Sequence, residues 1–240
     1  MSEQDRIDVG ANKGSLSGAS GGPDGASTDR PGDGAINRCV IYLMRHGDSR
    51  PDEAPRFVGR TDYPLNATGR AQAEWWQRGL ASVPFERVYC SDRRRSRETA
   101  RMVCGDRRIP FTELSELAEI DLGDWDGMPI AEARTRFPQE YAERGADIAD
   151  YRIAGGESFT DVAERAVPAF ETLSRQSVGP VLAVGHSGVN RVLLSHMLGM
   201  PLANLLRLEQ AYCCLNVVER IGESWVVRQM NVLPNLPSIG

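Results

Sequence analysis

Short apolar segments alternate with longer amphipathic segments along most of this chain. The apolar runs have the length of buried strands, and the segments between them repeat apolar positions at helical spacing. Strands are predicted over RCVIYLM, ERVYCS and VLAVG. Helices are predicted over LNATGRAQAEWWQRGLASV, RRRSRETARMVC, PIAEARTRF, SFTDVAERAVPAFETLSRQ and VNRVLLSHMLGM. This alternation predicts an α/β three-layer sandwich, with helices on both faces of a mainly parallel central sheet.

Three further segments complete the prediction. The segment CCLNVVERIGESWVVRQMNV reads as two strands joined by a turn at a glycine. The segment YAERGADIADYRIAGG, residues 141–156, reads as irregular or broken helix. Ser158 and Asp161 have the spacing of a capping pair, so a helix is expected to begin just after Ser158.

The first residues differ in composition from the rest. Residues 1–37 are rich in Gly, Ser and Asp and poor in apolar side chains. Such a segment buries too little apolar surface to offset its chain entropy, so it is predicted to be a disordered tail. The remaining residues, 38–240, are predicted to form one domain.

Charge and cysteine usage narrow the function classes. The formal net charge of −5 argues against general binding to nucleic acid or to an anionic membrane. The sequence has no apolar run long enough to span a bilayer and no secretory signal at its start. Its five cysteines form no CxxC pair and its three histidines are far apart, so neither a metal nor another cofactor is expected. Reduced thiols and a cytoplasmic location are therefore predicted.

Polar residues follow three of the apolar strands where each strand ends. Arg45, His46 and Gly47 follow the first, Ser91 and an arginine run follow the second, and His186 follows the third. In open α/β sheets, ligands bind just beyond the carboxyl ends of the strands. The pattern therefore predicts a site containing two histidines and at least one arginine.

These side chains suit phosphate chemistry. A neutral imidazole is a nucleophile, and guanidinium groups bind phosphate oxygens while keeping their charge. A proton donor is also needed, and the loop at 117–127 offers four acidic candidates, Glu119, Asp121, Asp124 and Asp126.

Four motifs occur in the order RHG (45–47), SDRRRSRETA (91–100), LAEIDLGDWDG (117–127) and VGHSG (184–188). Together they resemble the histidine phosphatase superfamily, also called the phosphoglycerate-mutase-like family, over roughly residues 38–220. The resemblance implies that His46 is a nucleophile that becomes phosphorylated. It further implies that Arg45 binds the transferring phosphoryl group, that His186 is the second histidine of the pocket and that Glu119 is the proton donor.

The second motif leaves two arginines open. The family's pocket arginine falls at Arg95, four residues after Ser91. Arg93, however, stands where the family usually has an apolar residue, so Arg94 is the alternative to Arg95.

Three more residues are candidates for substrate binding. Arg60 and Thr61 lie on the loop after RHG and could line the pocket. Ser187 follows His186 and could donate a hydrogen bond to phosphate or simply end the strand.

The resemblance implies a metal-independent phosphomonoesterase that hydrolyses a small phosphorylated metabolite through a phosphohistidine. Segments 59–73 and 156–165 are similar to the alpha-ribazole phosphatase and broad-specificity phosphatase branch, so alpha-ribazole 5'-phosphate of cobalamin synthesis is the substrate first considered. A cofactor-dependent phosphoglycerate mutase and a non-catalytic phosphate-binding or scaffold protein are the alternatives. The short segment at 128–154 leaves little material for a lid, which favours hydrolysis over the mutase. Monomer and homodimer both stay open.

Overall fold

The computed structural model describes residues 37–236, which form an α/β fold around one mixed sheet. The strands are β1 (Arg38–Arg45), β2 (Arg87–Cys90), β3 (Phe111–Glu113), β4 (Val181–Gly185), β5 (Leu215–Ile221) and β6 (Ser224–Val232). The α-helices are α1 (Ala67–Gly79), α2 (Arg94–Cys104), α3 (Ile130–Arg136), α4 (Pro138–Ala146), α5 (Phe159–Gln176) and α6 (Ser187–Met197). The predicted tail at 1–37 lies outside the described residues, apart from Asn37.

The sheet has the strand order β3-β2-β4-β1-β5-β6. The first four strands in this order run parallel to one another, whereas β5 is antiparallel to β1 and β6 is antiparallel to β5. The prediction of a mainly parallel sheet is thus only partly right, and the sheet is mixed. The last two strands, β5 and β6, are joined by a short hairpin turn, and such a turn can connect only antiparallel strands. Gly222, with φ of 60°, lies in that turn.

Helices cover both faces of the sheet. Ile41 and Leu43 of β1 pack into one apolar cluster with residues of α5 and α6. Tyr42 and Met44 point to the opposite face and pack with residues of α1 and α2. This alternation follows from the two-residue period of a strand whose faces are both buried.

Side chains cap the starts of two helices. The Asn66 side chain accepts a hydrogen bond from the backbone of Gly69 and begins α1. Ser158 and Asp161 form a complete capping box at the start of α5, as predicted.

The segment 141–156, predicted as irregular or broken helix, begins inside the helix α4 and leaves helical structure after Ala146. Pro138 begins this helix, a position where the missing N–H costs nothing. Phe137 and Tyr141 stack on Trp125, so tertiary packing stabilises a segment whose own apolar pattern is weak.

Close backbone packing positions the loop that follows β1. A side chain at Gly69 would bring its Cβ to 2.1 Å from the carbonyl oxygen of Asp48, so only glycine fits there. This contact fixes the first turn of α1 against the loop that contains His46 and Gly47. Among residues 37–236, every helix is too short or too polar to cross a membrane.

Candidate active site

The two predicted pocket histidines meet at the carboxyl edge of the sheet. Arg45 pairs with Gly185 in the β1–β4 register, and the backbone N–H of His46 donates to the carbonyl of Gly185 at 3.1 Å. The ring centroids of His46 and His186 are 5.0 Å apart, and both side chains are buried. Adjacent parallel strands therefore bring together residues that are 140 positions apart in the sequence.

A buried arginine bridges the two imidazoles. The Nε–H of Arg95 lies 3.2 Å from Nε2 of His46 and 3.2 Å from Nδ1 of His186. Its other nitrogens donate to the carbonyl oxygens of Thr61 at 2.6 Å and Gly59 at 2.7 Å. The side chain is only 1% exposed, so the planar fork of the guanidinium is fixed on every side.

The same helix separates the two candidate arginines. Arg94 is exposed and pairs with Glu98, one turn further along α2. Successive residues of an α-helix project about 100° apart, so the side chain of Arg95 points into the site while that of Arg94 points to solvent. The structure therefore brings Arg95, and not Arg94, between the histidines.

Hydrogen bonds assign a tautomer to each imidazole. Nδ1 of His46 lies 2.7 Å from the carbonyl oxygen of Gly47, which can only accept, so Nδ1 carries the proton. Nε2 of His46 is then unprotonated and accepts from Arg95. His186 accepts from Arg95 through Nδ1, so its proton is on Nε2, a buried atom without a hydrogen-bond partner among the described residues.

The surroundings keep both rings neutral. Burial, followed by the positive charges of Arg95 and Arg45, holds the pKa of His46 well below its ordinary value, against a smaller opposite effect of the Gly47 carbonyl. Burial and Arg95 likewise lower the pKa of His186 well below its ordinary value. A neutral imidazole with a free lone pair is the nucleophilic form.

Arg45 supplies a second guanidinium beside His46. One of its terminal nitrogens donates to the carbonyl oxygen of Gln210 at 2.7 Å, and its Cζ lies 3.7 Å from the ring centroid of Tyr212. Neither Arg45 nor Arg95 forms a salt bridge with a described carboxylate. Two guanidinium groups without carboxylate partners favour the binding of an anion.

The carboxylate of Glu119 contacts the N-terminus of α6, the helix that begins directly after His186. Its carboxylate accepts hydrogen bonds from the backbone N–H groups of Gly188 at 2.9 Å, Val189 at 3.2 Å and Ile120 at 3.0 Å. A Cβ on Gly188 would lie 2.4 Å from this carboxylate, so the glycine is needed for the contact. A carboxylate at a helix N-terminus is stabilised by the helix dipole and the free N–H groups.

The three candidate substrate-binding residues are held by other parts of the protein. Arg60 lies 3.3 Å from Glu157 and 3.9 Å from Asp121. The Thr61 hydroxyl donates to Asp126. The Ser187 hydroxyl accepts from Arg191, which leaves its own proton free to donate. Direct contact of these three residues with substrate stays a prediction.

Comparisons with known proteins decide the family. The sequence model of the histidine phosphatase superfamily (branch 1) matches residues 41–233. This chain belongs to the histidine phosphatase superfamily. The resemblance predicted from the four motifs is therefore confirmed.

The relatives of this histidine phosphatase include named phosphatases. It is 30% identical over 182 residues to the adenosylcobalamin/alpha-ribazole phosphatase of Salmonella typhimurium, covering 75% of this chain and 89% of the relative. The alpha-ribazole phosphatase structure from Shigella flexneri superposes with a TM-score of 0.75 at 26% identity, covering 83% of this chain and 100% of that one. A mycobacterial glucosyl-3-phosphoglycerate phosphatase structure with VO3 gives a TM-score of 0.69 at 26% identity, covering 82% and 99%. The protein is accordingly a phosphatase that acts on a small phosphorylated substrate.

Four residues around this histidine phosphatase site were missed by the sequence analysis. Gln210 and Tyr212 contact Arg45 from the turn before β5, and Arg191 contacts Ser187 from α6. Arg165 of α5 donates to the backbone carbonyl of Glu119 and pairs with Glu157. No sequence signal identifies these four, because their role arises from contacts between distant segments.

Metal ligands are not grouped within residues 37–236, where no cluster of three or more His, Cys, Asp or Glu side chains could hold an ion. All five cysteines are buried free thiols, and burial raises the pKa of Cys39 to about 11 and that of Cys90 to about 12. These thiols therefore stay protonated and unreactive at neutral pH.

Because the Arg95 guanidinium makes four separate contacts, we predict that lysine cannot replace arginine at this position. Arg95→Lys should lower kcat/KM for p-nitrophenyl phosphate by about a hundredfold, because an ammonium cannot bridge both imidazoles and both loop carbonyls. Arg94→Lys is the matched control on the same helix and should stay within about twofold of wild type. Thermal unfolding of both variants checks that they are folded. Similar losses in the two variants would contradict the placement of Arg95.

The lowered pKa of His46 and His186 predicts a loss of stability on acidification. Below about pH 6.5 the unfolded chain protonates these histidines while the folded protein does not, so the free energy of unfolding falls as pH falls. Urea unfolding at pH 7.5 and 5.5 should differ by about 1 kcal/mol or more for each histidine. This window lies above about pH 4.5, where paired carboxylates titrate.

Two variants separate this effect from other titrations. His186→Asn removes one of the two buried imidazoles and should abolish about half of the pH dependence. His196→Gln removes the exposed imidazole that lies 3.0 Å from Glu171 and should keep most of it. A pH-independent wild type, or an effect that disappears in His196→Gln, would contradict the prediction.

Proposed function

We propose that this phosphatase is a phosphomonoesterase that works through a phosphohistidine at His46. The observation that carries the proposal is the unprotonated Nε2 of a buried His46 beside two guanidinium groups that have no described carboxylate partner. The nucleophile and the groups that attract phosphate thus lie together.

The first step transfers the phosphoryl group from substrate to enzyme. Nε2 of His46 attacks phosphorus, and the bond from phosphorus to the leaving oxygen breaks. Arg45, Arg95 and the Nε2–H of His186 would donate to the non-bridging oxygens and stabilise their charge in the transition state. A phosphoryl oxygen would replace His46 as the acceptor of the Arg95 Nε–H. Two guanidinium groups can supply the positive charge that a metal supplies elsewhere, so the proposed reaction needs no metal.

Glu119 would move the protons of both steps. In its protonated form the carboxyl would donate its proton to the leaving oxygen. The resulting carboxylate accepts a proton from the water that attacks phosphorus and breaks the N–P bond. The products are an alcohol and inorganic phosphate, and His46 is restored to its starting form.

For the substrate we propose alpha-ribazole 5'-phosphate as the first candidate. It rests on the curated Salmonella relative, whose name gives that activity, and on the similarity of segments 59–73 and 156–165. The relatives named above are phosphatases rather than mutases, which supports hydrolysis.

A turnover screen tests the substrate. The panel should contain alpha-ribazole 5'-phosphate, glucosyl-3-phosphoglycerate and both phosphoglycerates, each with and without EDTA. The highest kcat/KM on alpha-ribazole phosphate, unchanged by EDTA, would support the proposal. Loss with EDTA that a metal restores would contradict metal independence, and isomerisation of phosphoglycerate faster than phosphate release would favour a mutase.

The proposed nucleophile can be tested in two ways. His46→Ala should abolish turnover. Wild-type enzyme that is quenched while it turns over a ³²P-labelled substrate should carry covalent ³²P, and this label should be lost in acid but kept in base. A phosphoramidate has this stability, whereas phosphoserine does not. His196→Ala, which changes an exposed histidine on α6, is the matched control and should stay active. Substantial turnover by His46→Ala, or an acid-stable label, would assign the nucleophile elsewhere.

Glu119→Gln should slow hydrolysis of an alkyl phosphate by about a hundredfold or more, within the range of general acid catalysis. p-Nitrophenyl phosphate should lose less, because nitrophenolate departs without a proton. The ratio of the two kcat values, compared between wild type and variant, is the measurement. Equal losses on both substrates would rule out a proton donor at Glu119, and Asp121→Asn would be measured next.

A further inference from the structure

The turn at residues 210–214 holds Arg45 and His46 through several contacts. The carbonyl oxygen of Gln210 accepts from the Arg45 side chain at 2.7 Å. The carbonyl oxygen of Cys214 accepts from the Arg45 backbone at 3.0 Å, and the N–H of Cys213 donates to the carbonyl of His46 at 3.0 Å. The turn is therefore fixed to both residues that begin the RHG motif.

The backbone of this turn has an unfavourable conformation. Cys213 is a buried non-glycine residue with φ of 55°, in the left-handed region that glycine usually occupies. Its carbonyl accepts a hydrogen bond from Nε1 of Trp76 at 2.8 Å, which helps to hold it in this conformation. Strained backbone persists where the surroundings impose it, and such positions cluster at functional sites.

The strained turn places the ring of Tyr212 over Arg45. The Cζ of Arg45 lies 3.7 Å from the ring centroid, the shortest such distance among the cation–π contacts of the described residues. The ring centroid of His46 is 5.7 Å from that of Tyr212. The phenolic hydroxyl makes no hydrogen bond to a described residue, so the ring, and not the hydroxyl, makes the contact.

We propose that Tyr212 is a positioning residue that fixes the guanidinium plane of Arg45 for phosphate binding. Arginine has several rotatable bonds. A single hydrogen bond, donated by the Arg45 guanidinium to the carbonyl oxygen of Gln210, leaves the guanidinium plane free to turn about it. The aromatic face removes this freedom and attracts the cation without using its N–H donors. Those donors remain available to an anion, including the buried Nε–H, which has no described partner. The inference rests on the proposed role of Arg45 in binding phosphate.

Inhibition by inorganic phosphate isolates the binding step, because it requires neither the phosphohistidine nor Glu119. Tyr212→Phe keeps the ring and should change the phosphate Ki by no more than about twofold. Tyr212→Leu should raise the Ki and KM by about fivefold to thirtyfold, as expected for the loss of a partly desolvated cation–π contact. Equal effects of Phe and Leu, or a Ki unchanged in Tyr212→Leu, would overturn the proposal.

Fluorinated phenylalanines at position 212 keep the test decisive if Tyr212→Leu does not fold. Fluorine weakens the negative face of the ring while its size changes little, so the phosphate Ki should rise stepwise with one, two and three fluorines. A Ki that does not depend on fluorination would overturn the proposal.

Arg45→Ala separates this inference from the function on which it rests. A weaker phosphate Ki in Arg45→Ala together with a normal Ki in Tyr212→Leu would reject only the positioning role. A normal Ki in Arg45→Ala would instead reject the phosphate-binding role of Arg45 and with it the proposed site.

Discussion

The rest of the site depends on the hydrogen bonds that the buried guanidinium of Arg95 donates to the two imidazoles. Burial lowers its pKa, and the charges of Glu119, Asp62 and Asp126 oppose that effect without forming a salt bridge to it. A buried cation without a paired carboxylate is costly, and here it is compensated by two loop carbonyls and two imidazoles. In the proposed mechanism, the bound phosphate would supply the missing negative charge.

This one group also determines the state of both histidines. By donating to Nε2 of His46 and Nδ1 of His186, Arg95 requires both atoms to be unprotonated acceptors, and its charge disfavours an imidazolium on either ring. The same contact therefore sets the tautomers and aligns the rings, and its charge adds to the effect of burial, which is the main cause of both lowered pKa values. In the proposed mechanism, a single side chain therefore couples phosphate binding to the nucleophilic form of His46.

Backbone contacts connect the remaining parts to this centre. Glu119 is bound to the N–H groups of Gly188 and Val189, so the acidic loop is attached to the helix that His186 precedes. Arg165 holds the same loop from α5 through the carbonyls of Glu116, Ala118 and Glu119. The candidate proton donor and the second histidine are consequently positioned by one set of hydrogen bonds.

The sequence alone determined the alternation of elements, the helix start at Ser158 and the residue types of the candidate site, because these depend on local periodicity, capping and motif order. Only the tertiary structure decided between Arg94 and Arg95, since neighbouring helical residues look alike until the sheet fixes which face is buried. It also decided the regular helix α4, the mixed sheet and the contact of Tyr212 with Arg45. Each of these follows from packing between segments far apart in the chain, which no local pattern encodes.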